Sequence, residues 1–366
     1  MNESYEILTT ADAQAWRAAL PADMCVMGSL EYARIKERIM GQSARLFLTG
    51  PPGARVAYPL FLRPLPFQTA QASGARWDTA TPEYTGPIRV DPPGDEEAFP
   101  AAGFQEAFGR FCRDEGIVAE FAHLNPWHAG KELLAPARVE VNREIVYVDL
   151  TWGEEEIWKR SLSSDTRRQT RQSSDFGVRV RQAESPKDVM DFYNLHHLTM
   201  DRLEAGGSYY LGPDYFLGIF ETMPANAFFL LAEFEGRTVA GGLYFQDATD
   251  VYWHLSAVDM EFSRVRPVNA YHFEAIKRAA RAGRRRMLCG GAFRQGDGVF
   301  RFKAGFSPLR VPFQVCKQVH DPEAYAGLVQ AWIRHYGGIQ PDPELFPAYR
   351  CTPPAAEGLS LAVKAF

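Results

Sequence analysis

The sequence has little of what marks secreted, membrane-spanning or metal-dependent proteins. Its five cysteines, at positions 25, 112, 289, 316 and 351, are odd in number, and no two have zinc-site spacing. That argues against a disulfide framework and a cysteine zinc site, and it suits reduced thiols in a cytoplasm. No tract reaches the roughly 18 apolar residues that span a bilayer. The opening MNESYEILTT lacks a basic patch followed by a hydrophobic run, so no signal peptide is expected. Bulk positive charge is lacking too: 40 Lys and Arg against 45 Asp and Glu leave a net charge of -5. Any contact with nucleic acid must therefore use a local patch. H-E-x-x-H, G-x-S-x-G, a Walker Gly-Lys-Ser/Thr and an EF-hand ladder of acidic ligands are all absent. The D-F-G at 175–177 stands without the other kinase elements, and no metal site is expected.

What is present is a large apolar inventory, 46% of 366 residues, enough for two or three ordinary domains or one large one. Residues 29–39 read as a helix, 44–50 and 54–65 as two strands around a Pro-Gly turn, and Pro66–Glu97 as surface loop. Phe104, Phe108, Phe111 and Cys112 form a helical stripe, and 117–126 and 144–151 read as strands. A boundary is expected near residue 150. Beyond it, 185–203 begins with Ser-Pro and Asp188 in the manner of a helix N-terminus. The histidines at 196 and 197 read as surface or packing residues of that helix. Residues 213–223 form a second helix and 227–258 three strands. The loop DMEFSRVRPV leads into a helix with Asn269 as a possible cap and Gly283 as its stop. ARLFLTGPPGARVAYPLFLRP (44–64) and AFFLLAEFEGRTVAGGLYFQD (227–247) share one rhythm of strand, glycine turn and strand, which reads as duplication of an α/β unit. A helix to Tyr336 and a Pro-rich tail over 336–366 complete the chain.

Two patches are basic, RRQTR at 167–171 and KRAARAGRRR at 277–286. Each is compatible with a solvated helix face or with a polyanion. Arg264 and Arg266 stand before a helix N-terminus, where free N–H groups and the dipole favour an anion; they are equally compatible with a surface turn. The densest stretch is CGGAFRQGDGVFRFKAGFSP, residues 289–308. Read as a strand, F-R-F-K-A-G-F places Phe300 and Phe302 on one face and Arg301 and Lys303 on the other. A lysine against an apolar wall can meet a phosphate or a developing oxyanion, or lie solvated on an edge strand.

These residues are similar to the C-terminal signature of the Fem-type aminoacyl transferases. HLSAVDMEFSRVRPVNAYHFEAIKRAARAG resembles the family's preceding strand, loop and helix, and WKRSLSSDTRRQTRQSSDFGVRVRQA the opening of its second domain. EYTGPI (83–88) resembles a Tyr-Gly-Pro segment of the first. The resemblance covers roughly residues 30–320. It implies an α/β fold of two tandem GNAT-like domains with mixed central sheets: residues 1–150 on the acceptor side, 151–335 on the transfer side, and the tail. It implies transfer of an amino acid from aminoacyl-tRNA, as co-substrate and without further cofactor, to an amine of a small metabolite or a muropeptide precursor. The family includes cell-wall enzymes and antibiotic-pathway relatives.

On this resemblance Lys303 aligns with a lysine that meets charge near the activated ester. Asp297 and His254 are further catalytic candidates, and Glu83 is a possible base. Glu83, Tyr84, Trp253, Arg301 and Phe302 are substrate-binding candidates. Arg264, Arg266, Lys277, Arg278, Arg281, Arg284, Arg285 and Arg286, with Arg167, Arg168 and Arg171, are the tRNA-binding candidates. A cytoplasmic monomer without a transmembrane segment and without DNA binding is expected. Two alternatives stay open: an acyl-CoA-dependent N-acyltransferase, disfavoured because FSRVRPVNA has no glycine to cradle a pyrophosphate, and a non-catalytic RNA-binding module.

Overall fold

The computed structural model describes residues 4–21, 24–67, 74–90, 100–128, 130–135, 138–291, 296–351 and 353. They form two compact units, one from residues 1–142 and 313–358, the other from 143–312. Strands follow in chain order as β1 (Tyr5–Leu8), β2 (Ser43–Thr49), β3 (Val56–Pro64), β4 (Trp77–Ala80), β5 (Ile88–Arg89) and β6 (Ile117–His123). Then come β7 (Val139–Asp149), β8 (Arg179–Gln182), β9 (Ala227–Phe234), β10 (Arg237–Gln246), β11 (Asp250–Val258), β12 (Arg286–Gly290) and β13 (Arg310–Val319). The helices are α1 (Ala13–Ala18), α2 (Leu30–Met40), α3 (Ala101–Glu115), α4 (Gly153–Glu156), α5 (Ser164–Asp175), α6 (Pro186–Arg202), α7 (Pro213–Thr222), α8 (Pro267–Arg281), α9 (Gly298–Ala304) and α10 (Pro322–His335).

In the first unit the strand order is β1-β2-β3-β4-β6-β13, and every neighbouring pair is antiparallel except β4 and β6. In the second the order is β8-β9-β10-β11-β12-β7, again antiparallel except for β11 and β12. The two series match pair for pair. A helix, α3 or α8, makes the crossover that a parallel pair requires. The hairpins whose sequences echo one another, β2–β3 and β9–β10, hold corresponding places in these series. Gly241 and Gly242 of β10 leave no room for side chains: a Cβ on the first would meet Leu230 O at 2.8 Å, and one on the second the Tyr271 ring at 2.8 Å.

The expected aromatic stripe of α3 is buried. Phe104, Phe108 and Phe111 pack against Phe47 of β2, with Tyr58 of β3 beside the first two. Ser185 and Asp188 form a reciprocal capping box at the start of α6. Gly283 takes φ +71° just past α8.

Three expectations differ from the structure. Pro66–Glu97, read as surface loop, contains β4 and β5 within its described part, because a four-residue strand is too short to show alternation among prolines and glycines. Residues 313–335, assigned to the second domain, belong to the first unit, where β13 pairs with β6 over Val315–Val319. The stretch after Tyr336 is also anchored there as far as it is described. Trp332 Nε1 donates to Cys351 O at 2.9 Å, and Arg350 reaches Asp78.

Asp78 of β4 is 0% exposed and accepts from Arg63 Nε at 2.6 Å and Arg350 Nε at 2.5 Å. Removing the carboxylate leaves two half-buried guanidiniums facing each other. Asp78→Ala should lower unfolding stability by about 3 kcal/mol, read as a shift in the denaturant midpoint; a change within error would show that the two arginines find other partners.

Candidate active site

Beyond Tyr252 the parallel partners of the second unit part. β11 and β12 pair only over Asp250↔Arg286, Val251↔Met287 and Tyr252↔Leu288. A crevice at the carboxyl ends of parallel strands is where α/β sheets hold ligands, and here it is walled by side chains from four helices and strands. A cavity of about 270 Å³ is lined by Trp253, Ser256 and Val258 of β11, Met260 and Ser263 of the following turn, Arg266, then Pro267, Val268, Asn269 and His272 of α8, Gln169 of α5 and Phe302 of α9.

Lys303 stands beside this cavity. The strand reading of F-R-F-K is corrected: Gly298–Ala304 is a helix. Asp297 starts it by accepting from Phe300 N at 2.8 Å, which is an N-cap role. Helical rather than alternating geometry changes the faces. Phe300 and Lys303, three apart, are buried together, while Arg301 is exposed and donates to Gly296 O at 2.8 Å. Gly305 ends the turn under contact: a Cβ there would lie 2.4 Å from Thr166 Oγ1 of α5. Ser163 N donates to Gly305 O at 2.8 Å, and Ser161 Oγ to Phe306 O at 2.9 Å. The Lys-Ala-Gly-Phe sequence is thereby docked against the segment that opens the second unit.

Lys303 is 5% exposed. Nζ donates to Gly291 O at 2.7 Å and lies 5.6 Å from the centre of the Trp253 ring. Burial lowers its pKa to about 8, Cys289 and Asp297 act to raise it, and Arg143 lowers it further. The Cys289 thiol is pushed up to about 12 by burial, against the pull of Lys303 and Arg310. Sequence reasoning missed the group that completes the wall. Trp253 Nε1 donates to Ser256 Oγ at 2.6 Å. That hydroxyl lies 3.3 Å from His272 Nε2, and His272 Nδ1 is hydrogen-bonded to Tyr244 OH. His272 is held well below its ordinary pKa, first by burial and then by the Lys303 charge. Its only sequence signal was a histidine on the inner face of α8.

The remaining candidates are dispersed. His254 follows Trp253 in β11 and so faces the other side of the sheet, where its Nε2 is 2.8 Å from Tyr215 OH of α7. His196 is buried and His197 bonds Leu211 O at 3.0 Å, the packing roles expected. Glu83 is exposed and Tyr84, at φ +54°, packs on Phe313; both lie in the first unit. Among the basic candidates, Lys277 pairs with Glu274, Arg281 with Glu154, and Arg286 with Asp250 through two bonds of 2.7 and 2.8 Å. Arg278 covers Phe228 and reaches Gln182, while Arg284 donates to Ala248 O. Arg167 caps backbone carbonyls including Leu162 O at 2.5 Å, Arg168 pairs with Asp165, and Arg171 lies over Trp158. Arg264, Arg266 and Arg285 are exposed. Arg266, not Asn269, is the N-cap residue of α8. It has φ +57°, the first turn has no side-chain cap, and Asn269 is its third residue. No group of three or more His, Cys, Asp or Glu that could hold a metal occurs among the described residues. No described helix is long and apolar enough to cross a membrane.

Residues 160–304 match the family model for an acetyltransferase (GNAT) domain. No curated protein sequence matches the chain. Among solved structures the chain is similar to FemX, with 13% identity, 88% of this chain and 99% of that one covered, and a TM-score of 0.65. It is similar to a conserved protein of Bacteroides thetaiotaomicron, at 11% identity, 86% and 99% coverage and a TM-score of 0.57. A third likeness is to the C-terminal DUF2156 domain of a lysylphosphatidylglycerol synthetase candidate from Agrobacterium fabrum, at 15% identity, 90% and 98% coverage and a TM-score of 0.50. With its paired sheet series and the matched domain, the chain has a double GNAT-like fold, the one seen in FemX.

Proposed function

We propose that the protein is an amide-forming acyltransferase that moves an amino acid from aminoacyl-tRNA to the amine of a small metabolite or muropeptide precursor. The observation that carries this reading is the buried Lys303 beside the β11–β12 crevice, next to a cavity lined by no carboxylate among the described residues. An aminoacyl ester is already activated. The enzyme has to align a neutral amine with the ester carbonyl, stabilise the tetrahedral oxyanion and return one proton to the leaving ribose hydroxyl. Lys303 supplies the positive charge for the oxyanion in a site of low dielectric, where that charge acts most strongly. His272 stays neutral next to it and leaves the charge undivided. The leaving hydroxyl itself, or water, carries the proton, since Asp297 is committed to capping α9 and His254 faces the opposite side of the sheet.

The acyl-CoA reading draws on the acetyltransferase model. Against it stands the loop before α8, where the left-handed position is filled by Arg266 rather than by a glycine, which puts a long side chain where a pyrophosphate would approach the backbone. Arg264, Arg266 and Arg285 are the cations best placed to meet RNA phosphates.

Lys303→Ala should reduce transfer from charged tRNA about a hundredfold or more with an unchanged melting temperature; near-normal turnover would remove its role. Because the charged form acts, wild-type transfer should fall as pH rises through about 8, and Lys303→Arg should move that decline upward. Arg264→Glu together with Arg266→Glu should raise KM for tRNA and flatten the salt dependence of kcat/KM. An unaltered salt slope would take these residues out of the tRNA path. Transfer that survives ribonuclease and runs on acyl-CoA would overturn the reading as a whole.

A further inference from the structure

Arg143 of β7 takes no part in the chemistry assigned to Lys303, yet the two side chains meet at one residue. Lys303 Nζ donates to Gly291 O at 2.7 Å. A Cβ added to the same glycine would lie 2.9 Å from Arg143 Cδ, 3.3 Å from Glu144 O and 3.4 Å from Ile145 Cγ2. The glycine therefore lets the stem of Arg143 pass against the peptide whose carbonyl receives the ammonium. Gly290, just before it, pairs with Val146, so the β7–β12 ladder holds this contact in register. Arg143 is half-buried, and a charge so placed is screened less than one on an open surface.

The electrostatics agree with this placement. Burial is the largest cause lowering the pKa of Lys303 to about 8; Cys289 of β12 and Asp297 at the start of α9 act to raise it, and Arg143 is the charge that lowers it further. His272 of α8, held neutral, adds no charge of its own. Two like charges near one another are unfavourable in the free enzyme. A negative charge formed next to Lys303 attracts both, so the second cation favours the transition state more than the free enzyme.

We propose that Arg143 is a positioning residue of the transfer site: its stem seats the Gly291 peptide that receives Lys303, and its guanidinium backs the ammonium with a second positive charge. The inference rests on the transfer reading for its effect on rate, whereas the relation between the two charges is measurable without any substrate. The bond to the Gly291 carbonyl favours the ammonium, and the charge of Arg143 disfavours it. Removing that charge therefore raises the pKa of Lys303, while loosening the Gly291 peptide alone would lower it. With the pKa raised, more Lys303 is protonated at neutral pH, and a slower variant cannot then owe its loss to a missing proton.

The test is a pH titration of Lys303 in the full-length protein carrying 15N-labelled lysine, followed by the Nζ chemical shift, with Lys303→Arg assigning the signal. Arg143→Gln should move the midpoint upward by about half a pH unit from the wild-type value of about 8, and Arg143→Lys should keep it near wild type. In the transfer assay at neutral pH, Arg143→Gln should lower kcat about tenfold with little change in KM, and Arg143→Lys should recover most of the loss. A midpoint that stays or falls in Arg143→Gln, or an unchanged kcat, would each overturn the proposal. Should Arg143→Gln not fold, Arg143→Met, with a similar stem and no charge, takes its place. If the protein transfers nothing from charged tRNA, the titration still decides on Arg143, so failure of the transfer reading and failure of this proposal give separate results.

Discussion

The parting of β11 from β12 after three paired residues is the constraint on which the site depends. Hydrogen-bonded parallel strands leave no room between them; separated ones leave backbone and side chains facing a gap. The corresponding place in the first unit shows the alternative. There β4 and β6 stay joined beyond the end of β4. Thr81 N bonds Phe121 O, the Thr81 hydroxyl accepts from His123 N, and Thr85 bridges to His123 and Leu124. One duplicated plan thus has a crevice stitched shut by two threonines and a crevice left open. The open one is lined by Trp253 and Phe302, with Lys303 beside them.

Placing an ammonium in such a gap is unfavourable by itself, and the surrounding residues are arranged around that fact. A single carbonyl, Gly291 O, and the face of Trp253 offset part of the lost hydration. Among the described residues no carboxylate is hydrogen-bonded to the amine; one that was would hold the proton permanently and dull its response to a transient negative charge. The Trp253–Ser256–His272–Tyr244 chain fixes the ring against which the ammonium rests. Gly305 lets α9 sit against α5 closely enough to keep Lys303 pointed inward. Each of these is a packing feature whose effect is electrostatic.

Much of this was legible in the residues. The repeated hairpins, the helix before Arg286, the Phe104 stripe and the Ser185–Asp188 box depend on local pattern, and local pattern is what a sequence displays. The F-R-F-K stretch misled because alternation of aromatic and basic residues is also compatible with a short helix in which every third residue is buried. Asp297 at its start was the sign that decides for helix. The basic run at 277–286 could not be weighed from sequence, since Asp250, Glu154 and Gln182, which engage three of its members, are distant along the chain. His272 gains its significance only from the cavity, and a cavity made by four separate elements has no linear signature.

The chain enters the second unit within β7 and leaves it within β13. Among the described residues the second unit is thus one continuous stretch of polypeptide, whereas the first is in two pieces. On a ribosome, residues 143–312 emerge as a complete set and can close their sheet at once. The first unit must wait with β6 unpaired on the side later covered by Val315–Val319, and with the Val118 side of its core uncovered until Leu328 and Trp332 arrive. The half of the molecule made first is therefore the half finished last, and during that interval it exposes a strand edge and apolar surface of the kind that chaperones engage.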